Sequence, residues 1–366
     1  MVSPRKFFMG EKYDFKPKAL SMAMVTICSA GSVVAGGSDI MLMPSEVLFE
    51  KGNYAEVSVV NVSLNVTGTN IAPTGSMYKD YSAKNVALKM QASPKVSIGC
   101  ADYLSAGIYL DYKNAGGSGG NITLASVDLS IKSRMLAAKY QFDDNFSAFA
   151  GLKRSTVKRA TANVIGNPTG NLSIASTSDN ALAFGVAYEK PEIVLRVSAL
   201  YRKKTYFSLP MTRDAGGTLV NGTAGLPESV TIRFQSGIAQ DTLIYGSIHK
   251  ARWGESQIFF DNGSAVLKQK TTYTNSSSYT LGVARKLNED FGLSATYGYE
   301  PAVGGTFTSP LATPNGKTSL SVGGKYTFGK ANLSLGYSRI KVGDKELTGT
   351  YASSFTGNTT NVIAPK

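Results

Sequence analysis

From Tyr54 onward the chain alternates apolar and polar residues with a period of two, which calls for β-strands carrying one greasy face each. Val60, Val62, Leu64 and Val66 alternate with Asn61, Ser63, Asn65 and Thr67. Leu182, Phe184, Val186 and Tyr188 alternate with the small residues Ala181, Ala183, Gly185 and Ala187. Val230, Ile232 and Phe234 alternate with Thr231, Arg233 and Gln235, and Leu320, Val322, Tyr326 and Phe328 oppose Ser319, Ser321, Lys325 and Thr327. The pattern predicts thirteen strands, at about 54–67, 85–92, 96–112, 121–142, 146–160, 178–189, 192–206, 228–239, 242–260, 271–287, 291–299, 317–328 and 332–345.

The connections between these strands sort by length. Short polar turns follow the even-numbered strands, at Ser93-Pro94-Lys95, Asp143-Asp144-Asn145, Lys190-Pro191, Gln240-Asp241, Asn288-Glu289-Asp290 and Gly329-Lys330. Long stretches rich in Gly, Asn, Thr and Ser follow the odd ones, at 68–84, 113–120, 161–177, 207–227, 261–270 and 300–316. An up-and-down membrane barrel has short turns on one rim and long loops on the other. A Greek-key sandwich has no reason to sort its loops this way. An odd number of strands ends on the wrong rim, so closure needs a fourteenth. The expected fold is all-β: a transmembrane antiparallel up-and-down β-barrel of about fourteen strands with a short N-terminal plug. Aromatic residues near strand ends (Tyr54, Phe142, Phe146, Tyr188, Tyr206, Trp253, Phe291, Tyr299, Phe328 and Tyr337) are expected to form interface girdles.

The N-terminus indicates export. Lys16 and Lys18 precede an apolar run from Ala19 to Val34, and Val33 and Ala35 fit a cleavage site before Gly36. Residues 1–35 therefore read as a secretory signal peptide, with Met9 as an alternative start. Cys28 leaves with that leader, so Cys100 has no partner for an internal disulfide. A closed barrel needs no such staple, because every strand is paired. The mean hydropathy of −0.07 suits strands whose two faces average out, although a soluble β protein would share it. The formal charge is +13. Five basic and two acidic residues lie in the leader, which leaves +10 on the mature chain. Export argues against nucleic acid as the partner of this charge. Anionic lipopolysaccharide and other outer-membrane lipid, or an anionic substrate, fit better, beside the reading of scattered solubilising charge.

Leu226-Pro227-Glu228-Ser229-Val230 leads into the run Phe234-Gln235-Ser236-Gly237-Ile238-Ala239-Gln240-Asp241-Thr242-Leu243, continuing through Gly246-Ser247-Ile248 to Trp253. Further stretches are Phe49-Glu50-Lys51-Gly52-Asn53-Tyr54, Ala187-Tyr188-Glu189-Lys190-Pro191-Glu192-Ile193, Gly282-Val283-Ala284-Arg285-Lys286-Leu287 and Gly324-Lys325-Tyr326-Thr327-Phe328. In their chain order they resemble the FadL family of outer-membrane fatty-acid transporters. The resemblance implies a fourteen-stranded barrel filled by an N-terminal hatch, in the outer membrane of a Gram-negative bacterium. It implies passive uptake of long-chain fatty acids or other hydrophobic small molecules, with no cofactor and a lateral exit beside a kinked third strand. It also implies insertion by the barrel-assembly machinery.

The two ends depart from the family pattern. Only residues 36–53 precede the first strand, and Met43-Pro44-Ser45 stands where the family's Asn-Pro-Ala motif falls. Either this segment is a reduced apolar plug built on Met41, Leu42, Met43, Pro44, Leu48 and Phe49, or the loops close the pore. After barrel strands spanning 54–345, residues 346–366 read as a last loop and an incomplete fourteenth strand. Pro365 cannot donate to a ladder and no terminal aromatic follows, so a truncated closing strand is expected.

A fatty acid needs an apolar slot and a cation for its carboxylate. Strand parity turns Arg196, Arg233 and Lys325 inward; they either meet that carboxylate or pair with lumenal acids. Gly99, Asp102 and Gly107 interrupt the alternation of strand three and mark a bend there, either an ordinary bulge or the lateral opening. Enzyme chemistry has little to draw on. Gly116-Gly117-Ser118-Gly119-Gly120 matches a hydrolase elbow only as a string, and His249 is the sole histidine. No catalytic or metal-binding set is expected. A nonspecific porin and a non-transporting surface or adhesin barrel are the rival readings.

Overall fold

The computed structural model describes residues 38–69, 73–112, 126–163, 171–213, 217, 219–261, 266–309, 311, 313–348 and 352–366. The expected leader at 1–35 and the glycine run at 116–120 lie outside them. Fourteen antiparallel strands form the wall. They are β1 (Tyr54–Asn65), β2 (Tyr81–Ser93), β3 (Val96–Asp111), β4 (Ser126–Gln141), β5 (Phe146–Val157), β6 (Thr177–Lys190), β7 (Leu195–Arg202), β8 (Ser229–Ala239), β9 (Thr242–Ala251), β10 (Ser276–Lys286), β11 (Phe291–Glu300), β12 (Lys317–Phe328), β13 (Ala331–Val342) and β14 (Thr359–Pro365). Each pairs with its neighbours in sequence order, and the short turns and long connections fall on opposite rims as expected.

The closing strand is where expectation and structure differ most. β14 pairs with β13 from Leu335↔Pro365 to Lys341↔Thr359, and with β1 from Asn61↔Ile363 to Asn65↔Thr359. The strand is short but sufficient. Pro365 stands at the end of the β13 ladder, beyond the last β1 pair, so its missing N–H interrupts little. Lys366 then exchanges both backbone hydrogen bonds with Ser334 and reaches Glu56 of β1 at 2.7 Å.

The outward face is apolar. Leu136, Leu152, Phe184, Val186, Val283, Val322 and Leu335 are exposed, while inward serines such as Ser133, Ser155, Ser198 and Ser321 are buried. This inversion suits a wall solvated by lipid. Paired aromatics mark the rims, with Tyr140 against Phe142, Phe146 against Tyr188 and Tyr279 against Tyr299. Two expected girdle residues point inward instead. Tyr54 packs on the plug, and Trp253 is buried in a 3-10 turn where the expected 242–260 strand breaks.

The expected loop at 207–227 is also corrected. Thr205–Arg213 and Leu219–Leu226 form a hairpin that raises the wall, flanked by Ala160–Asn163, Leu172–Ile174 and Phe259–Phe260. Phe207, Leu209, Met211, Val220 and Leu226 all bury their side chains, a period-two signal masked by the neighbouring Gly and Thr. The same residues, with Ile40, Val62, Tyr112, Trp253 and Phe307, make an apolar core on the long-loop side.

Candidate functional site: a plugged bore with a buried polar centre

Ser38 to Asn53 runs inside the barrel, from mid-height down to the short-turn rim. The reason it fits lies in β3. The β2–β3 ladder ends at Val86↔Asp102, so Tyr81–Asn85 have no partner on β3. A register shift between Leu104 and Ala106 then turns β3 inward, and Leu104 through Ile108 are all buried. An abandoned strand edge needs new hydrogen-bond partners. The N-terminal segment supplies them: Ile40 N–H donates to Ser105 O at 2.9 Å, and Gly107 N–H donates to Ser38 O at 3.1 Å. The Asn85 side chain accepts from Leu104 N–H at 3.2 Å, and Tyr81 stacks on Tyr109 across the interruption at 4.6 Å.

The three residues singled out on β3 have distinct roles. A Cβ at Gly99 would lie 2.8 Å from Leu48, and one at Gly107 would lie 3.1 Å from Ile40 and 3.0 Å from Leu129 O. Both glycines make room, Gly99 for the plug alone and Gly107 for the Tyr109 ring, the β4 backbone and the plug. Asp102 instead faces outward, where Arg134 and Lys132 of β4 hold it at 3.1 and 3.4 Å. An acid on that face is tolerated because two cations flank it.

Among the plug residues, Met43, Pro44 and Leu48 are buried, and Met41 and Phe49 pack against the same cluster as Met43 and Leu48. Leu42 is half-buried. Phe49 meets Phe149 edge-on at 5.6 Å, with Arg196 and Lys139 over its ring at 4.3 and 4.6 Å. Arg196 and Arg233 both face inward and both meet Glu46, at 3.0 and 3.6 Å; Arg196 also lies 3.9 Å from Glu189. Lys325 is buried, within electrostatic range of Glu50, whose carboxyl burial pushes above its usual range. The three inward cations therefore meet the plug's own acids.

A second polar cluster lies higher in the bore, around Asp39. Trp253 Nε1 donates to Asp39 Oδ2 at 2.8 Å, while His249 and Arg202 stand 3.8 and 3.9 Å away. His249 Nδ1 bonds Thr231 Oγ1 at 2.8 Å. Lys153 and Tyr103, both fully buried, lie within electrostatic range of Asp39 and Arg202. Burial raises the Asp39 carboxyl, but His249, Arg202 and Trp253 outweigh it and hold it at about 2. Among the described residues, Asp39 Oδ1, Lys153 Nζ, Arg202 Nε and His249 Nε2 are buried without a hydrogen-bond partner. Four such polar atoms in one place are unusual, because buried polar groups are normally hydrogen-bonded. Lys153 Nζ and Arg202 Nε are both donors, so the centre suits a hydrogen-bond acceptor such as a carboxylate. Sequence reasoning passed over Arg202 and Lys153; their inward parity alone could have found them.

A closed fourteen-strand wall, an apolar outer face and a plug pinned to an inward-turned third strand define a plugged membrane-spanning β-barrel. The sequence matches no protein-family model and no curated protein. The solved structures that share its fold agree with the resemblance read from the sequence. A Pseudomonas aeruginosa FadL homologue superposes with a TM-score of 0.70 over 88% of this chain and 91% of that one, at 12% identity. The Ralstonia pickettii toluene transporter TbuX gives 0.62 over 93% and 96%, and the Pseudomonas putida toluene transporter TodX 0.60 over 98% and 100%, each at 14% identity. At such identities the likeness is one of fold.

Proposed function

We propose that the chain is a passive outer-membrane channel for hydrophobic small molecules, with long-chain fatty acids as the preferred cargo. The observation that carries this reading is the order of environments along the bore. An apolar core on the long-loop side leads to a buried cluster with unmet cationic donors, and the β2–β3 ladder is interrupted beside it. Such an order suits a molecule with an apolar tail and an anionic head. Arg202 and Lys153, with His249, receive the carboxylate. Arg196, Arg233 and Lys325 hold the plug below it. The ligand leaves sideways into lipid between Tyr81–Asn85 and the upper half of β3. The fold likeness to a FadL homologue and two toluene transporters supports the class of cargo.

The test is binding of oleate and of methyl oleate to the purified barrel and to Arg202→Leu. Losing a charge-assisted hydrogen bond should weaken oleate roughly tenfold or more and leave the ester nearly unchanged. Equal effects on both ligands would rule out a carboxylate at this centre.

A further inference from the structure

We infer that the outer wall of β2 to β5 carries a binding site for the phosphorylated headgroup of a lipid A-type glycolipid. Outward-facing residues on these strands turn from apolar to charged at one level: Leu136 is followed by Arg134 and Lys132, and Leu152 by Arg154. Arg134 and Arg154 stand directly opposite one another in the β4–β5 register. Like charges so placed on neighbouring strands destabilise the pair unless something neutralises them. Asp102 serves Arg134 and Lys132, and among the described residues Arg154 and the outward Lys84 of β2 form no ion pair. Four cations against one acid leave a surplus of three positive charges on a membrane-facing wall.

Phe146, at the short-turn rim, and Arg154 are eight steps apart on β5. At about 3.4 Å per residue and a tilt near 40° this spans roughly 21 Å, close to the height of an outer-membrane barrel's apolar band. The cluster therefore lies where the long-loop-side hydrocarbon ends and headgroups begin. A guanidinium pair suits phosphate oxygens bidentately. Three surplus charges match a headgroup with two phosphates better than a single phosphodiester. Asp128, farther out on β4, sits beyond the cluster and leaves room at its level. The inference rests on the membrane-spanning reading and is independent of the cargo.

The experiment uses the full-length barrel in detergent with purified bis-phosphorylated lipid A, counting bound lipid by native mass spectrometry. The variants are R134Q/R154Q and, should that pair fail to fold, R154Q with K132Q. The control R339Q/K341Q removes two outward charges on β13 from the same side of the barrel. Folding is checked by heat-modifiable gel migration. We expect lipid A to bind wild type and the β13 control alike, and the R134Q/R154Q affinity to drop at least roughly tenfold. Neither inorganic phosphate nor phosphatidylglycerol should displace it at equal concentration. Unchanged binding in R134Q/R154Q, an equal loss in the β13 control, or displacement by phosphatidylglycerol would each overturn the proposal.

Discussion

Trp253 Nε1 donates a 2.8 Å hydrogen bond to Asp39, joining the turn after β9 to the N-terminal segment 214 positions earlier. That bond, with the backbone pairing of Ser38–Ile40 onto β3, makes the plug part of the wall's hydrogen-bond system. A loosely packed lead-in would have neither.

The contact supplies its own reporter, since Trp253 is the only tryptophan. The Asp39 carboxyl is depressed to about 2, so its contribution to docking is present above about pH 4 and lost as pH falls towards 2. Trp253 emission should stay constant from pH 7 to about 4 and shift below that. Asp39→Asn should remove the shift. A midpoint at an ordinary carboxyl value, or a transition that survives the substitution, would show that Asp39 does not anchor the plug.

Glu46 neutralises the buried guanidinium of Arg196 and the half-buried one of Arg233. Glu46→Gln keeps the shape and removes the charge, at a cost of about 3 kcal/mol to plug docking. Planar-bilayer recordings should show a larger or more frequently open ion conductance. A variant as tight as wild type would mean that apolar packing of Val47 and Leu48 alone holds the plug.

The Tyr81–Tyr109 stack is a side-chain bridge across the interrupted β2–β3 ladder. Such a pair contributes about 0.5–1.5 kcal/mol. If cargo leaves there, Tyr81→Ala should speed transfer of bound fatty acid into vesicles by a few-fold while equilibrium binding changes less. An unaltered transfer rate would place the exit elsewhere.

Much of the wall was readable from sequence because lipid imposes a strict period of two and because loop length follows rim. Fourteen-strand closure was harder to read. β14 has Val362 and Ala364 inward and Ile363 outward, too few residues for a clear pattern, and its pairing comes from both neighbours. The hairpin at 205–226 was hidden because its apolar residues alternate with Gly, Thr and Asn that resemble loop composition. The inward set Arg196, Arg233 and Lys325 followed from parity, but that they face Glu46 and Glu50 depends on the path of the plug. Asp39, Arg202, Lys153 and His249 come from four separate stretches. Their convergence depends on barrel closure and on the inward turn of β3, and neither spacing nor composition encodes it.

The proposed function requires that the barrel pass fatty acids and exclude polar solutes of similar size. The direct measurement is uptake of radiolabelled oleate and of a labelled disaccharide by an outer-membrane fatty-acid-uptake-deficient strain, with and without this chain. Restored oleate uptake is expected, lost again in Arg202→Leu, with disaccharide entry unchanged. Disaccharide entry without oleate uptake would identify a porin, and no change in either would identify a barrel that transports neither.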